Sequence, residues 1–293
     1  MNVRSEHALT FFSWLAAGIT AAAVFILIAY LLVQGLPVMG PALFFGDTPW
    51  RAAVMGAEPV FDGIYPAVAG TFILIVCSSL IAIPLGICCG IYLAEYARGP
   101  LKNIFSFMVD LLSGMPSIVM GLFGFALILL MRRALYAHAN TSIMLSSACI
   151  ALLILPYLIR MTQVALESLP ESSRLLGPSL GYTRWQNIWH VLLPASSTAI
   201  LSGIILSIGR AAEDTAVIML TGVVANAGIP RSLSDKFEAL PFSIFYLTAE
   251  HRDELELLRA FGSALVLLAL TATLFFISYC IQRRLKRRWA MGE

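Results

Sequence analysis

Charge is scarce in this chain. Of its 293 residues only 12% are Asp, Glu, Lys or Arg, against 59% hydrophobic, and the mean hydropathy is +0.85. That composition excludes an ordinary soluble domain and defines an integral membrane protein. There is no Gly-Lys dipeptide, hence no G-x-x-x-x-G-K-[ST] phosphate cradle, so the chain is not itself an ATPase. It also lacks the HExxH pattern and any comparable nucleophile arrangement of an intramembrane enzyme. The five cysteines, Cys77, Cys88, Cys89, Cys149 and Cys280, show neither CxxC pairing nor ligand spacing and read as small packing residues. His7, His138 and His251 are scattered over separate loops, so no metal site is expected. His190 has no Ser, Asp or Cys in a catalytic relation to it, and no cofactor is expected on this chain.

What is abundant is uninterrupted apolar sequence. A bilayer core needs about 20 apolar residues as helix, and six runs qualify: 9–33, 65–93, 104–131, 142–159, 195–221 and 261–281. The first follows Arg4 like the charged start of a signal peptide, but its apolar core is too long for one, and it reads as a retained membrane helix. The connections 34–65 and 222–259 are too short for an added soluble domain. Three regions result: residues 1–64 hold one membrane helix and an outer loop, 65–284 a core of five membrane helices with an inner-loop segment at 169–194, and 285–293 a basic tail. The fold class expected is an all-α, six-helix integral membrane protein.

The distribution of basic residues sets an orientation. With both termini cytoplasmic, the inner segments hold Arg4, Arg98, Lys102, Arg160, Arg174, Arg184 and the tail from Arg283 onward. The outer loops are acidic, with Asp47, Glu58 and Asp62 in one and Asp235, Glu238, Glu250, Asp253, Glu254 and Glu256 in another. Arg132 and Arg133 break the pattern, as tolerated exceptions or as a basic patch at an entrance. Glu95 and Glu167 read as interfacial charges. Within the third run, Ser113-Gly-Met-Pro-Ser117 predicts a kink or local unwinding, and Asp110 one turn earlier is either functional or merely interfacial. Gly86 and Gly90 form a GxxxG pattern, read here as close helix packing.

Arg210 stands near the middle of the fifth run, with Glu213 and Asp214 three and four residues later. On one helix the three would share a face. Each such charge at mid-bilayer costs roughly 2.5 to 3.5 kcal/mol on insertion scales, so the cluster belongs in a bundle interior or a solute path. A guanidinium that never deprotonates and offers a planar fork of donors suits a tetrahedral oxyanion. The spacing permits a reversible Arg210 to Asp214 pair that an entering anion displaces. It equally permits a buried lock between two subunits that touches no solute, or the charge pathway of an ATP-independent secondary transporter.

Between the fourth and fifth runs, Leu169 to Pro194 reads as two short amphipathic helices joined at Gly181. Leu180, Trp185, Ile188, Trp189 and Leu192 form an apolar stripe, with Arg184, Gln186 and Asn187 opposite. Such a helix lies on a membrane surface or fits a groove on a partner.

This segment resembles the cytoplasmic signature of binding-protein-dependent ABC importer permeases. Gly181, Thr183, Arg184, Trp185, Ile188, Leu193 and Pro194 fall on the signature, while Leu175, Leu176 and Gly177 stand where Glu-Ala-Ala is expected. The missing acidic contact would then come from Glu171. Ile91-Tyr-Leu-Ala-Glu-Tyr96, Leu112-Ser-Gly-Met-Pro-Ser-Ile-Val119, Gly121-Leu-Phe-Gly124 and Gly209-Arg-Ala-Ala-Glu-Asp-Thr215 resemble the A-type permease subgroup of phosphate-specific importers (PstA-like). The subgroup usually has Gly where this chain has Glu213.

The resemblance implies a type I importer permease (MetI-like) fold in the cell inner membrane. It implies a substrate path for phosphate, or a related oxyanion or small solute, at Arg210, Glu213, Asp214, Thr215, Ser113 and Ser117. It implies ATPase coupling through Glu171, Leu175, Gly177, Gly181, Thr183, Arg184 and Trp185. The partners implied are a homologous second permease (PstC-like), a dimer of ATP-binding subunits (PstB-like) that use the ATP, a periplasmic phosphate-binding protein and membrane lipid, with no nucleic acid.

Overall fold

The computed structural model describes residues 3–55, 58–134 and 140–290, with side chains from 10 to 284 within those stretches. His138 lies outside the described residues, as do the side chains of Arg4, His7 and the tail from 285 onward. The elements run α1 (Val3–Gly35), α2 (Pro41–Phe45), α3 (Trp50–Val54), α4 (Tyr65–Ile91), α5 (Gly99–Ser113), α6 (Ser117–Ala134), α7 (Ile143–Glu167), α8 (Glu171–Ser179), α9 (Arg184–Asn187), α10 (Leu193–Glu213), α11 (Ala216–Thr221), α12 (Leu240–Glu250) and α13 (Glu254–Ala290). Six stretches among the described residues are long and apolar enough to cross a membrane: Thr10–Val38, Tyr65–Tyr96, Ser117–Ala134, Ile143–Glu167, Arg184–Glu213 and Glu254–Arg284.

The sixth of these starts at Glu254 rather than 261, and the third, fourth and fifth differ further from the runs expected. The third run does not form one kinked helix, because Pro116 has no N–H and disfavours helical backbone at the residue before it. The chain therefore stops at Ser113 and restarts at Ser117, and only α6 is a spanning candidate. α5 becomes a separate amphipathic helix that seats Val109 against Ile159, Leu93 and Ala97. The fourth span continues past residue 159 to Glu167. The fifth begins earlier, since α9 runs through a π turn at Ile188–Leu192 into α10 without a break. Pro194 explains the widened turn: its missing N–H cannot bond the carbonyl four residues back.

α7 is the centre of the bundle. Lipid tails are as apolar as leucine, so helices associate here through close backbone approach and interhelical hydrogen bonds rather than water exclusion. Gly86 and Gly90 of α4 face Leu158 and Thr162 of α7 so closely that an added Cβ would stand 2.6 and 2.5 Å from their Cβ atoms. Gly203 of α10 meets Met161 in the same way, at 2.8 Å. Gly121 and Gly124 let α6 lie on α11 and α7, where Ala216, Thr221 and Cys149 fill the space. Ser146 and Thr221 hydroxyls lie 2.9 Å apart and tie α7 to α11.

At the acidic end, the segment between α11 and α12 folds back into the bundle. Phe237 is fully buried in the main core with Leu74, Ile150 and Ile218. Gly70 makes the room, since a Cβ there would sit 2.0 Å from the carbonyl oxygen of Glu238. Thr71 Oγ1 accepts the N–H of Leu240 at 2.8 Å, and the backbones of Val223 and Phe237 form an isolated bridge. α1 packs on α13, with Gly35 against Leu265 and the Tyr30 ring edge-on to Phe261. Most of its described apolar side chains, among them Phe11, Trp14 and Phe25, are exposed.

Candidate functional site

Arg210 sits in the last turn of α10, where its charge complements the exposed carbonyl end of the helix. It lines an open cleft of ≈ 580 Å³ with Leu206, Gly209, Glu213 and Asp214, together with Tyr157 of α7 and Phe275 of α13. Gly209 lets the Phe275 ring come close, as a Cβ there would lie 2.5 Å from Phe275 Cζ. Tyr157, Leu206 and Phe275 supply the cleft's apolar side, while Arg210 and Glu213 are exposed in the single chain. Among the described residues, no carboxylate oxygen lies within 4.0 Å of an Arg210 nitrogen. An uncompensated cation in such a place needs water, a solute or another subunit.

The fifth run breaks at Asp214. Its backbone turns extended (φ −74°, ψ 117°), so Arg210, Glu213 and Asp214 do not ride on one continuous helix as the spacing implied. The Asp214 carboxylate instead accepts the N–H of Val217 at 2.9 Å and caps α11. Thr215 follows in the connecting turn and is not among the cleft-lining residues. Ser113 and Ser117 flank the α5 to α6 break, also away from the cleft. Ser113 spends its hydroxyl on the Asp110 carbonyl at 2.8 Å.

The inner-loop segment divides differently from its expected stripe. Ile188 and Leu192 are buried with Ile91 and Leu166, whereas Leu180, Trp185 and Trp189 are exposed at 72%, 57% and 54%. The two indoles pack edge to face with centroids 5.8 Å apart. Asn187, expected on the polar side, is buried: its amide donates to the Arg174 carbonyl at 3.1 Å, and its Oδ1 has no partner. Gly177 is where Asn187 enters, with room for no Cβ. Gly181 takes φ +80° in open space, a left-handed turn that suits glycine. Thr183 and Gln186 form a reciprocal capping box that starts α9. Glu171, Leu175, Arg184 and Trp185 are all exposed on this surface.

Charges read as interfacial turn out to be paired. Arg174 donates to Glu95 at 2.7 Å and to the Leu166 carbonyl at 2.6 Å. Lys102 bonds Glu167 at 2.6 Å, and Gln163 adds a second donor to the same oxygen at 3.0 Å. Arg160 holds Asp110 through Nε and Nη2 and reaches Gln163 at 3.0 Å. Arg132 donates to Asn140 at 2.5 Å across the α6 to α7 connection. Sequence alone placed these charges at helix ends but gave no way to match partners 50 to 79 residues apart.

Residues 86–291 match the family described as binding-protein-dependent transport system inner membrane component, and the chain belongs to that family. It is therefore a transport subunit rather than an enzyme, and it works with a separate ATPase and a solute-binding protein. The phosphate transport system permease protein PstA of Mycobacterium leprae (strain TN) is 33% identical over 230 residues, covering 76% of this chain and 72% of that one. The PstA of Yersinia pestis is 34% identical over 215 residues, covering 73% and 68%. An inward-facing structure of the MetNI methionine ABC transporter superposes with a TM-score of 0.58 at 15% identity, over 76% of this chain and 97% of that one. The fold is thus the MetI-like permease fold expected.

Proposed function

We propose that this chain is the A-type (PstA-like) permease subunit of an ATP-driven importer of inorganic phosphate, and that Arg210 holds the anion during passage. The observation that carries the reading is a guanidinium without a carboxylate partner among the described residues, opening on a cleft lined by Tyr157, Leu206 and Phe275. Relatives named as phosphate permeases support the choice of solute. The cleft is open in the single chain, as half a path completed by a homologous PstC-like permease would be. Thr215, Ser113 and Ser117 enter the path only through that second subunit or a rearrangement at the two helix breaks.

Both termini are cytoplasmic in this reading, which puts the inner-loop segment on the ATPase side. Two PstB-like subunits bind and hydrolyse the ATP. Exposed Leu180, Trp185 and Trp189 offer them a hydrophobic face, ringed by Glu171, Thr183 and Arg184. The periplasmic phosphate-binding protein meets the opposite, acidic end. Glu213, one turn from Arg210, lowers the local positive potential and so favours release over tight retention.

Phosphate uptake into vesicles containing the assembled importer tests this. Arg210→Ala removes a charge-assisted bond that is worth roughly ten- to a hundredfold, so uptake should fall by that order, with Arg210→Lys intermediate. Uptake at the wild-type rate in Arg210→Ala rejects the role.

A further inference from the structure

We propose that Arg174 is the strut through which movement of the inner-loop segment reaches the bundle. The inference rests on reading that segment as the ATPase-facing one. Among the described residues, Arg174 supplies the side-chain hydrogen bonds from α8 to α7 and to the end of α4. Its guanidinium pairs with Glu95 in the π turn that ends α4, and it donates to the Leu166 carbonyl in the last turn of α7. Its own carbonyl receives the Asn187 amide, which joins α8 to α9. One residue thus ties four chain segments together.

The junction is sheltered but not sealed, with the Arg174 and Glu95 side chains 27% and 18% exposed. Below it lies the apolar seat of Ile91, Leu166, Ile188 and Leu192. That seat is close-packed and transmits strain. The guanidinium, bonded to two different helices, adds directional bonds that fix their relative position. Load on α8 is therefore delivered to α4 and α7 together, and these two are already locked at Gly86 and Gly90. α7 carries Tyr157, one wall of the Arg210 cleft. The chain of contacts runs unbroken from partner surface to cleft.

The measurement is phosphate taken up per ATP hydrolysed, in vesicles holding the complete importer with its binding protein. Arg174→Ala and Glu95→Ala should each lower this ratio by roughly tenfold while the ATPase subunits stay bound and keep hydrolysing ATP. The double variant should be no worse than either single, since the two side chains act as one device. Arg174→Lys should recover part of the ratio. A wild-type ratio in the single variants, or losses that multiply in the double, overturns the proposal. If the alanine variants do not assemble, Glu95→Gln and Arg174→Lys decide, and a wild-type ratio in both overturns it. Trp185→Ala with Trp189→Ala tests the underlying reading separately: if those leave ATPase binding and uptake unchanged, the docking surface is wrong whatever Arg174 does.

Discussion

The carboxylate of Asp214 accepts the backbone N–H of Val217 at 2.9 Å instead of pairing with Arg210. A residue that spacing offers as a counter-ion is therefore a helix cap in this state. The cap holds the head of α11, which lies against α6 at Gly121 and against α7 through Thr221. Asp214 thus fixes the angle between the arginine-bearing helix and the short helix beyond it.

Asparagine caps helices about as well as aspartate, while alanine at such a position costs about 1 kcal/mol. Asp214→Asn should keep uptake close to wild type, and Asp214→Ala should lower both thermal stability and uptake. Vesicle uptake compared at equal amounts of assembled importer checks this. Equal losses in the two variants would mean that the charge, not the cap, is what transport requires.

Much of the fold was legible because membrane spans announce themselves by length: each of the six runs holds a spanning candidate, and the Pro116 discontinuity was visible in one imino acid. The break at Asp214 was not, since Gly209-Arg-Ala-Ala-Glu-Asp-Thr215 contains no residue that forbids a helix there. What ends α10 is a tertiary effect, the seating of α11 on Gly121, with Asp214 supplying a local cap. Asn187 was misplaced for a related reason. Amphipathic spacing puts a polar side chain outside, but the notch at Gly177 admits it. The Arg210 cleft followed from the cost of charge in lipid, whereas Tyr157 and Phe275 carry no sequence signal that sets them apart from other aromatics.

Gly177 and Gly181 look alike in the sequence yet should respond differently to alanine. At Gly177 a Cβ would meet Asn187 Oδ1 at 2.2 Å, so α8 must lift from α9. At Gly181 nothing lies within 4 Å, and the cost is only that of a left-handed residue at φ +80°, on the order of 1 kcal/mol. Thermal unfolding should show the larger drop for Gly177→Ala. Replacing Asn187 by Ala in that background should restore only part of it, because the clashing oxygen has no partner to lose but the amide bond to the Arg174 carbonyl goes with it. No recovery would place the Gly177 effect elsewhere.

Glu238 gives the acidic end a pH dependence of defined sign. Burial pushes its carboxyl above the ordinary value of 4.5, and the N–H groups of Gly228 and Ala227 pull the other way without prevailing. The folded chain therefore retains this proton at pH values where the unfolded chain has released it. Its contribution to stability is complete below pH 4.5 and is lost as pH rises through the higher folded value. Glu238→Gln keeps an oxygen for the Gly228 N–H, now 2.8 Å from Oε1, but has no proton to lose. The melting temperature of the Gln variant minus that of the wild type should thus grow as pH rises from 4.5 toward neutrality. A difference that is flat over that range, or that shrinks, would show that the two backbone donors outweigh burial and hold the carboxylate ionised.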